Sequence, residues 1–195
     1  MASQLLNRVY RVSWNDFHAP PPPNAKRAAH IETEAKLSYK YKNGSGGVQL
    51  ADAVTVTIQV IRSKSWAKKQ LIRTWSRQAQ AELLRHEQGH YEITALSGRD
   101  MFIDLMTLKG RSFPDQAALE AEIGRIARLY APQAVHTKYD SPQETDHGHK
   151  ATPQNAWNGY IHTAFGTPRS PAVQAPDGAS YKIRLREVLK RAGKI

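Results

Sequence analysis

The chain has 195 residues, which is enough to bury a sizeable core in one domain or in one domain with a tail. It contains no cysteine, which excludes disulfide frameworks, zinc ribbons, iron–sulfur clusters and thiol nucleophiles. Its 28 basic residues outnumber its 17 acidic residues, and the net charge of +11 favours polyanionic partners without naming a function. No apolar run approaches the roughly 20 residues that a membrane-spanning helix requires. The N-terminus lacks a secretory signal, so we expect a protein that stays inside the cell or has lost a leader.

The first half of the chain predicts antiparallel β-structure. Residues 4–14 are predicted to form a strand, which four consecutive prolines at residues 20–23 separate from the next element. At residues 29–42 apolar and polar side chains alternate strictly, as they do in a long strand with one buried face. Residues 43–47 predict a turn, and a second alternating run at residues 54–60 completes a predicted β-hairpin.

The second half of the chain predicts helices. Ser65 is a predicted N-cap, because apolar residues recur with helical spacing over residues 66–108. A second helix is predicted for residues 116–130 and a short third helix for residues 154–164, with a polar loop at residues 139–153 before it. Strands followed by helices predict an α+β fold, in which an antiparallel β-hairpin or sheet packs beside the long helix.

The C-terminal part is predicted to be an extension of this domain. We predict that residues 1–165 form the domain and that residues 166–195 form a proline-containing linker and a basic C-terminal extension. From Tyr181 onward the chain has six basic residues and a single acidic residue, Glu187. This composition indicates an element for attachment or localisation.

The segment His86-Glu87-Gln88-Gly89-His90 is an HExxH motif inside the long predicted helix. Histidines at positions i and i+4 lie on one helix face, so both can bind a single Zn²⁺ ion at about 2.0–2.1 Å. The glutamate between them lies close to the metal-bound water and can act as general base. We therefore predict His86 and His90 as zinc ligands and Glu87 as the catalytic residue. The alternative is a partly exposed histidine pair beside a solvated glutamate.

A catalytic zinc site needs a third protein ligand. Ile93 and Leu96 exclude the pattern HExxHxxGxxH, which requires glycine and histidine at those positions. The polar loop offers His147 as the first candidate and His149 as the second, and Gly148 between them lets the backbone pass close to a crowded centre. Carboxylate candidates are weaker, because we expect them to be surface charges or too far along the helix axis: Glu120, Glu122, Asp100 and Asp104.

Further residues are candidates for supporting roles in the reaction. A tyrosine or histidine can donate a hydrogen bond to the oxyanion of the transition state, and the candidates for this role are Tyr139, His149 and Tyr160. Asp140 and Asp146 are candidates for orienting an imidazole ligand.

Several short blocks of the sequence form a recognisable combination: WNDF at 14–17, SW at 65–66, LRHEQGHY at 84–91, YD at 139–140, TDHG at 145–148, Gln154 and WN at 157–158. In combination these blocks resemble a family of bacterial domains of unknown function identified as predicted secreted zinc-dependent proteases. The resemblance extends from about residue 10 to about residue 157. The resemblance implies a zincin-like fold and peptidase activity, with His86 and His90 as ligands, Glu87 as the catalytic residue and His147 as the matching candidate for the third ligand. It also implies a secreted or periplasmic location, while the missing leader leaves the cytoplasm open.

The sequence therefore favours a zinc metallopeptidase that acts on a peptide or protein substrate. Two other classes stay open: a zinc-dependent cell-wall amidase and a non-catalytic basic binding module. A basic face could bring the protein to an anionic envelope surface, and no specific nucleic-acid signature is present. This face comprises Arg62, Lys64, Lys68, Lys69, Arg73, Arg77 and Arg85.

Overall fold

The computed structural model describes residues 2–166 and 183–195 and has the predicted α+β architecture. The strands are β1 (Gln4–Leu6), β2 (Ala29–His30), β3 (Thr33–Ser38), β4 (Tyr41–Gly44), β5 (Gly47–Leu50), β6 (Thr55–Val60), β7 (Trp66–Ala67) and β8 (Ser112–Phe113). The helices are α1 (Lys69–Ile72), α2 (Arg77–Met106), α3 (Gln116–Leu129), α4 (Gln133–Asp140), α5 (Ala151–Phe165) and α6 (Leu185–Arg191). Small sheets and the shorter helices pack around the long helix α2.

The predicted antiparallel pairing of the two alternating runs is confirmed. β3 and β6 pair along their whole length, with Ala35 opposite Ile58. β1 joins the other side of β6 in parallel orientation, so β1 and β3 are the edges of this sheet. The residues between β3 and β6 form their own hairpin, β4–β5, which β8 extends to three strands.

Two predicted strands are too long. The run at residues 29–42 is divided into β2, β3 and β4, because these segments pair with three different strands: β7, β6 and β5. Half-buried and exposed side chains still alternate along β3, as the pattern predicts. The strand predicted for residues 4–14 ends at Leu6, since Asn7 adopts a left-handed φ of 57° and Trp14–Asp16 form a 3₁₀ turn.

The long helix begins later than predicted. Residues 66–67 form β7, which pairs with β2, and α1 is a separate short helix. Ser76, not Ser65, is the N-cap of α2, and its hydroxyl oxygen accepts a hydrogen bond from the Ala79 amide at 3.1 Å. Ser65 is buried among the strands, where its hydroxyl donates to the carbonyl oxygen of Ile61 at 3.0 Å.

Helix α3 is confirmed within one residue of its predicted end, whereas the polar loop at residues 139–153 is shorter than predicted. α4 includes residues 139 and 140, and α5 begins at residue 151. α4 was not predicted, because its eight residues bury only Val135, Tyr139 and Asp140, which is too short an apolar pattern to indicate a helix.

Buried apolar side chains form two clusters on α2. The first lies between α2, α3 and the sheets, and includes Phe17, Ile58 and Leu119. The second lies between α2, α4, α5 and α6, and includes Leu96 and Trp157. Helix α6 thus packs with the rest of the protein, while the predicted linker lies outside the described residues after Gly166. The predicted division at residue 165 stays a prediction. In the described part of the chain, no helix is both long and apolar enough to cross a membrane.

Candidate metal site

The HExxH motif lies in the first half of α2. His86 and His90 are buried, and their ring centroids are 4.9 Å apart. Glu87 is also buried, with 2% of its surface exposed. The three side chains therefore differ from the partly exposed pair and solvated glutamate that the alternative interpretation requires, and the two imidazoles lie together as the i, i+4 spacing predicts.

Asp140, the last residue of α4, lies where the two histidines meet. Its Oδ1 is 3.1 Å from Nε2 of His86 and 2.9 Å from Nε2 of His90, while its Oδ2 is 2.9 Å from Nη1 of Arg27. Burial by itself raises the pKa of the Asp140 carboxyl, but its hydrogen bonds to the two histidines and their charges outweigh burial and hold the pKa well below its usual range. Asp140 is therefore an ionised carboxylate.

His147 approaches the same carboxylate from the loop between α4 and α5. Its Nδ1 lies 3.5 Å from Oδ2 of Asp140 and is buried, with no hydrogen-bond partner among the described residues. Asp146, His147 and Gly148 all have left-handed φ angles, of 50°, 54° and 85°. A side chain at residue 148 would collide with His86, since its Cβ would lie 2.9 Å from the histidine Cβ. As predicted, the backbone at Gly148 passes close to the candidate site, where it packs against His86.

Three residues could together hold a metal ion: His86, Asp140 and His147. Each offers one ligand atom, and these atoms all lie within 4.8 Å of one another. His90 is not part of this group, but its Nε2 is the histidine nitrogen nearest to Asp140 among the contacts above. The three histidines predicted as ligands therefore all contact one carboxylate.

Gln154 of α5 orients the ring of His86. The amide oxygen of Gln154 is 3.0 Å from Nδ1 of His86, while the amide nitrogen donates to the hydroxyl of Tyr139 at 2.5 Å and to Oδ1 of Asn158 at 2.9 Å. An amide oxygen can only accept a hydrogen bond, so His86 donates from Nδ1. Nε2, on the other side of the ring, faces Oδ1 of Asp140, and a metal ion held by both residues would lie between these two atoms.

His136 of α4 makes the corresponding contact with His90. The Nδ1 atoms of the two rings are 2.9 Å apart, and Nε2 of His136 lies 3.1 Å from the hydroxyl of Thr94. The Thr94 hydroxyl is in turn 2.7 Å from the hydroxyl of Thr33 in β3. Burial, together with the charge of His90, lowers the pKa of His136 to about 3, so this ring is neutral near neutral pH. A chain of hydrogen bonds thus links His90 to β3.

Glu87 lines a small cavity together with the histidines. One of its oxygens, Oε2, accepts a hydrogen bond from the backbone amide of Ile31 at 2.9 Å. The cavity has a volume of about 20 Å³, and its lining includes His86, Glu87, His90 and His147. A water molecule occupies at least about 10–15 Å³ of such volume, so there is room for one water beside these side chains.

A larger open cleft of about 430 Å³ adjoins the site. It lies between the segment of residues 27–33 on one side and α4 with the following loop on the other. The residues that line both this cleft and the small cavity are Arg27, His30, His90 and His147. The histidines are therefore reached from solvent through this cleft.

The three predicted transition-state stabilisers lie in different surroundings. Tyr139 is fully buried, stacks on His86 with ring centroids 4.7 Å apart, and donates its hydroxyl to the His86 carbonyl oxygen at 3.2 Å. Tyr160 packs against Trp157 and lines neither cavity. His149 is exposed and lines the small cavity. Their roles remain predictions, and among the three the placement favours His149.

The two middle residues of the motif have structural contacts of their own. The side-chain oxygen of Gln88 accepts from the Val12 amide at 2.8 Å, and its nitrogen donates to the Tyr10 carbonyl oxygen at 3.0 Å. Gly89 has no room for a side chain, because a Cβ there would lie 2.2 Å from the Tyr139 hydroxyl. These residues place the N-terminal segment and α4 against α2.

The other carboxylates considered as ligands lie away from the histidines. Asp100 is buried and binds the side chain of the neighbouring Arg99, and Asp104 binds Arg184. Glu120 is exposed and Glu122 is half-buried, paired with Arg125, so both belong to the surface of α3 as expected.

Several site residues were not indicated by the sequence patterns. They are His136, Thr94, Thr33 and Arg27, together with the orienting role of Gln154. One signal was present: His136 and Asp140 have the same i, i+4 spacing as the motif histidines, so they share a face of α4. Recognising that signal requires knowing that residues 133–140 are helical.

The fold and the site define an α+β protein with a histidine–aspartate group that could hold a metal ion. Residues 13–148 match the model of a family described as "Bacterial protein of unknown function (DUF922)". The match covers more than half of the chain, so the protein belongs to this bacterial family. In the described part of the chain, the side chains that pair with the Asp140 carboxylate are Arg27, His86, His90 and His147, and all four lie within the matched range. Curated proteins and solved structures give no significant match.

Proposed function

We propose that this protein is a zinc-dependent metallopeptidase that hydrolyses bonds in a peptide or protein substrate. The observation that carries the proposal is that His86, His90 and His147 all contact Asp140, beside a cavity that Glu87 also lines. The zincin-like fold and the secreted or periplasmic location are parts of the same proposal, and both rest on the sequence resemblance.

The geometry of the donor atoms supports a zinc ion. The histidine nitrogens lie 2.9 Å, 3.1 Å and 3.5 Å from the oxygens of Asp140. Ligand atoms around a tetrahedral zinc ion with bonds of about 2.0–2.1 Å are about 3.3 Å apart. Without a metal, Nε2 of His86 donates a hydrogen bond to Oδ1 of Asp140 while Nδ1 donates to Gln154. A zinc ion bound between Nε2 and the carboxylate would replace the Nε2 proton and leave the contact with Gln154 intact. The unpartnered Nδ1 of His147 supports the same conclusion.

The spacing of the HExxH motif assigns His86 and His90 as two of the three ligands, although His90 lies outside the group whose atoms are within 4.8 Å of one another. A catalytic zinc site uses three protein ligands and leaves a fourth position open, so the third comes from the pair Asp140 and His147. His147 is the third ligand that the sequence predicts, and Asp140 is the carboxylate that the structure adds to the donor set. Nitrogen and carboxylate ligands of this kind are those that suit zinc.

The protein residues around the site then have distinct tasks. A zinc ion held there would polarise a substrate carbonyl and lower the pKa of a water molecule to about 7. Glu87 accepts the proton of the attacking water and passes it to the leaving amine. The Ile31 amide holds the Glu87 carboxylate at the cavity, and β3, an edge strand, offers main-chain groups to an extended peptide.

Metal content tests the site. We expect one zinc ion per chain in the purified wild type, and none in either His86→Ala or His90→Ala. Loss in His147→Ala alone would establish a three-histidine site, and loss in Asp140→Asn alone would establish two histidines and a carboxylate. His162→Ala removes an exposed histidine of α5 and should keep the metal.

Absence of zinc from the wild type, even after the metal is added, would overturn the proposal. Salt-sensitive binding of that protein to polyanions would then favour the basic binding module.

Glu87→Gln tests the chemistry. We expect this variant to keep zinc while its kcat on a mixture of peptides or on unfolded protein falls by about 10²–10⁴-fold, because the general base is lost. Full activity would show that Glu87 is not the base. Purified cell wall is the second substrate to assay. Hydrolysis of cell wall but not of protein would select the zinc-dependent amidase, which the net charge of +11 and the partly exposed Arg27 in the cleft favour.

A further inference from the structure

The C-terminal segment, residues 183–195, packs against the helices that support the metal site. Leu185, Val188 and Leu189 of α6 are buried in one cluster with Trp157 and Ile161 of α5. Helix α6 also contacts α2, which carries the HExxH motif. The segment is basic in composition, but its apolar face is part of the protein core.

Polar groups of α2 hold the start of this segment. Arg99 donates to the carbonyl oxygen of Ile183 at 3.2 Å, and Oδ2 of Asp100 accepts from the Leu185 amide at 2.9 Å. Arg184 donates to the carbonyl oxygen of Asp100 at 2.8 Å. Arg99 and Asp100 are themselves fully buried, so the segment has a fixed position relative to α2.

The other end of the segment reaches the loop that carries His147. The ammonium group of Lys194 donates to both carboxylate oxygens of Glu144, at 3.0 Å and 2.8 Å. Glu144 is buried, and Oε2 also accepts from the indole nitrogen of Trp157 at 3.0 Å. Burial raises the pKa of Glu144, but the hydrogen bonds from Lys194 and Trp157 and the charge of Lys194 outweigh burial, and the pKa is lowered. Glu144 thus forms an ion pair with the C-terminal segment.

The loop requires support of this kind. Asp146 and His147 both have left-handed φ angles, which are unfavourable for residues with a Cβ and persist only where the surroundings impose them. His147 itself has no hydrogen bond that would hold its Nδ1 in place among the described residues. Contacts elsewhere in the loop therefore hold it, and those of Glu144 with Lys194 are charge-assisted hydrogen bonds.

We propose that Lys194 is a positioning residue of the metal site. Through its ion pair with Glu144 it holds the loop that presents His147, so the C-terminal segment contributes to metal affinity from outside the site. This inference rests on the proposed function, since zinc is the metal that it concerns. It also gives the basic C-terminal extension a role within the fold.

Zinc affinity of the full-length protein tests the inference. Competition with a chelator measures this affinity. We expect Lys194→Ala to bind zinc about tenfold more weakly than the wild type, because removing a residue that positions a metal ligand typically weakens binding by this factor or more. Lys194→Arg should restore the affinity. Lys190→Ala, which removes an exposed lysine of α6 four residues before Lys194, should leave the affinity unchanged. Wild-type affinity in Lys194→Ala would overturn the inference, provided that the melting temperatures of the metal-free proteins are similar.

Hydrogen exchange of the metal-free protein separates this inference from the zinc proposal. The amides of Asp146 and Gly148 donate to carbonyl oxygens within the loop, those of Ser141 and Thr145. We expect them to exchange about tenfold faster in Lys194→Ala than in the wild type or in Lys190→Ala, because the loop opens more often. If the wild type binds no zinc but exchange is faster in Lys194→Ala, the zinc proposal is rejected and the contact between Lys194 and the loop is kept. Unchanged exchange would reject the loop contact itself.

Discussion

Gly148 is the residue that allows the His147 loop to lie against α2. A Cβ at this position would lie 2.9 Å from Cβ and 3.1 Å from Cγ of His86, and the φ angle of 85° is itself unfavourable for any other residue. The pair His147-Gly148 thus combines a side chain at the site with the space that the site needs. The backbone of Gly148 therefore packs against His86, whose ring is also held by the side chain of Gln154.

Gly148→Ala should weaken zinc binding and destabilise the protein. We expect the free energy of unfolding to fall by about 1–3 kcal/mol, because an added methyl group in this contact displaces His86. Gly110→Ala is the matched control: its φ angle of 77° is similar, but no atom lies within 4 Å of a Cβ there. Urea unfolding and zinc titration of both variants measure the effect. Equal losses in the two variants would mean that backbone strain, and not the contact with His86, is responsible.

The contacts of His136 and Gln154 show why local sequence patterns do not indicate every residue of the site. His136 and Gln154 fix the rings of His90 and His86, yet each lies in a different helix from the motif. Nothing in the local sequence distinguishes an amide or imidazole that orients a ligand from one that is exposed to solvent. Only the packing of α4 and α5 against α2 decides which of them does so.

Helix α2 approaches the sheet closely because it has a glycine at the contact. A Cβ at Gly98 would lie 2.4 Å from Cδ1 of Ile58 and 3.0 Å from Cβ of Ala35. These two residues are opposite each other in β6 and β3. Glycine has a lower helix propensity than alanine, but here it lets α2 pack directly on the paired strands β3 and β6. Thr33, the first residue of β3, lines the cleft.

Gly98→Ala should destabilise the packing of α2 on the sheet. We expect a loss of about 1–3 kcal/mol in the free energy of unfolding, since overpacking outweighs the gain in helix propensity. The nearest atom is the flexible end of Ile58, so Ile58→Val, which removes Cδ1, should reduce the cost of Gly98→Ala in a double-mutant cycle. Gly159→Ala, at an open position in α5, should be neutral or stabilising. Additive effects of the Gly98 and Ile58 substitutions would contradict the contact.

Two of the misplaced element boundaries depend on contacts with distant parts of the chain. Trp66 has the spacing of a helical residue but pairs with His30 across β7 and β2. The short helix α4 became stable because Val135 and Tyr139 pack into a core formed mainly by other elements. Propensity and periodicity cannot show such tertiary stabilisation, which decides the fate of short segments.

At the scale of the whole molecule, buried charges join the C-terminal segment to the central helix. Arg99 and Asp100 have no exposed surface, and Asp100 binds both the Arg99 guanidinium and the Leu185 amide. A buried pair of this kind stabilises little by itself, but the loss of one partner leaves the other charge uncompensated. These hydrogen bonds join the start of the C-terminal segment directly to α2.

Asp100→Ala should therefore be severely destabilising. We expect the free energy of unfolding to fall by about 3–5 kcal/mol, because buried Arg99 loses its hydrogen bonds to the Asp100 carboxylate and the Leu185 amide loses its acceptor. Asp52→Ala, which removes an exposed carboxylate paired with Lys109, is the control and should change stability little. Denaturant unfolding of both variants gives the comparison. A small effect of Asp100→Ala would show that the segment is not held by this pair.

Local patterns in the amino-acid sequence predict the α+β order of elements, the antiparallel pairing of the two alternating runs and the placement of both motif histidines on one helix face. These features follow from local periodicity, which a chain carries along its length. Three further features depend on tertiary packing: Asp140 contacts His86 across 54 residues, His136 and Gln154 orient the rings, and Lys194 reaches Glu144. Such contacts depend on how helices pack against one another, because packing brings together residues whose local patterns are unrelated.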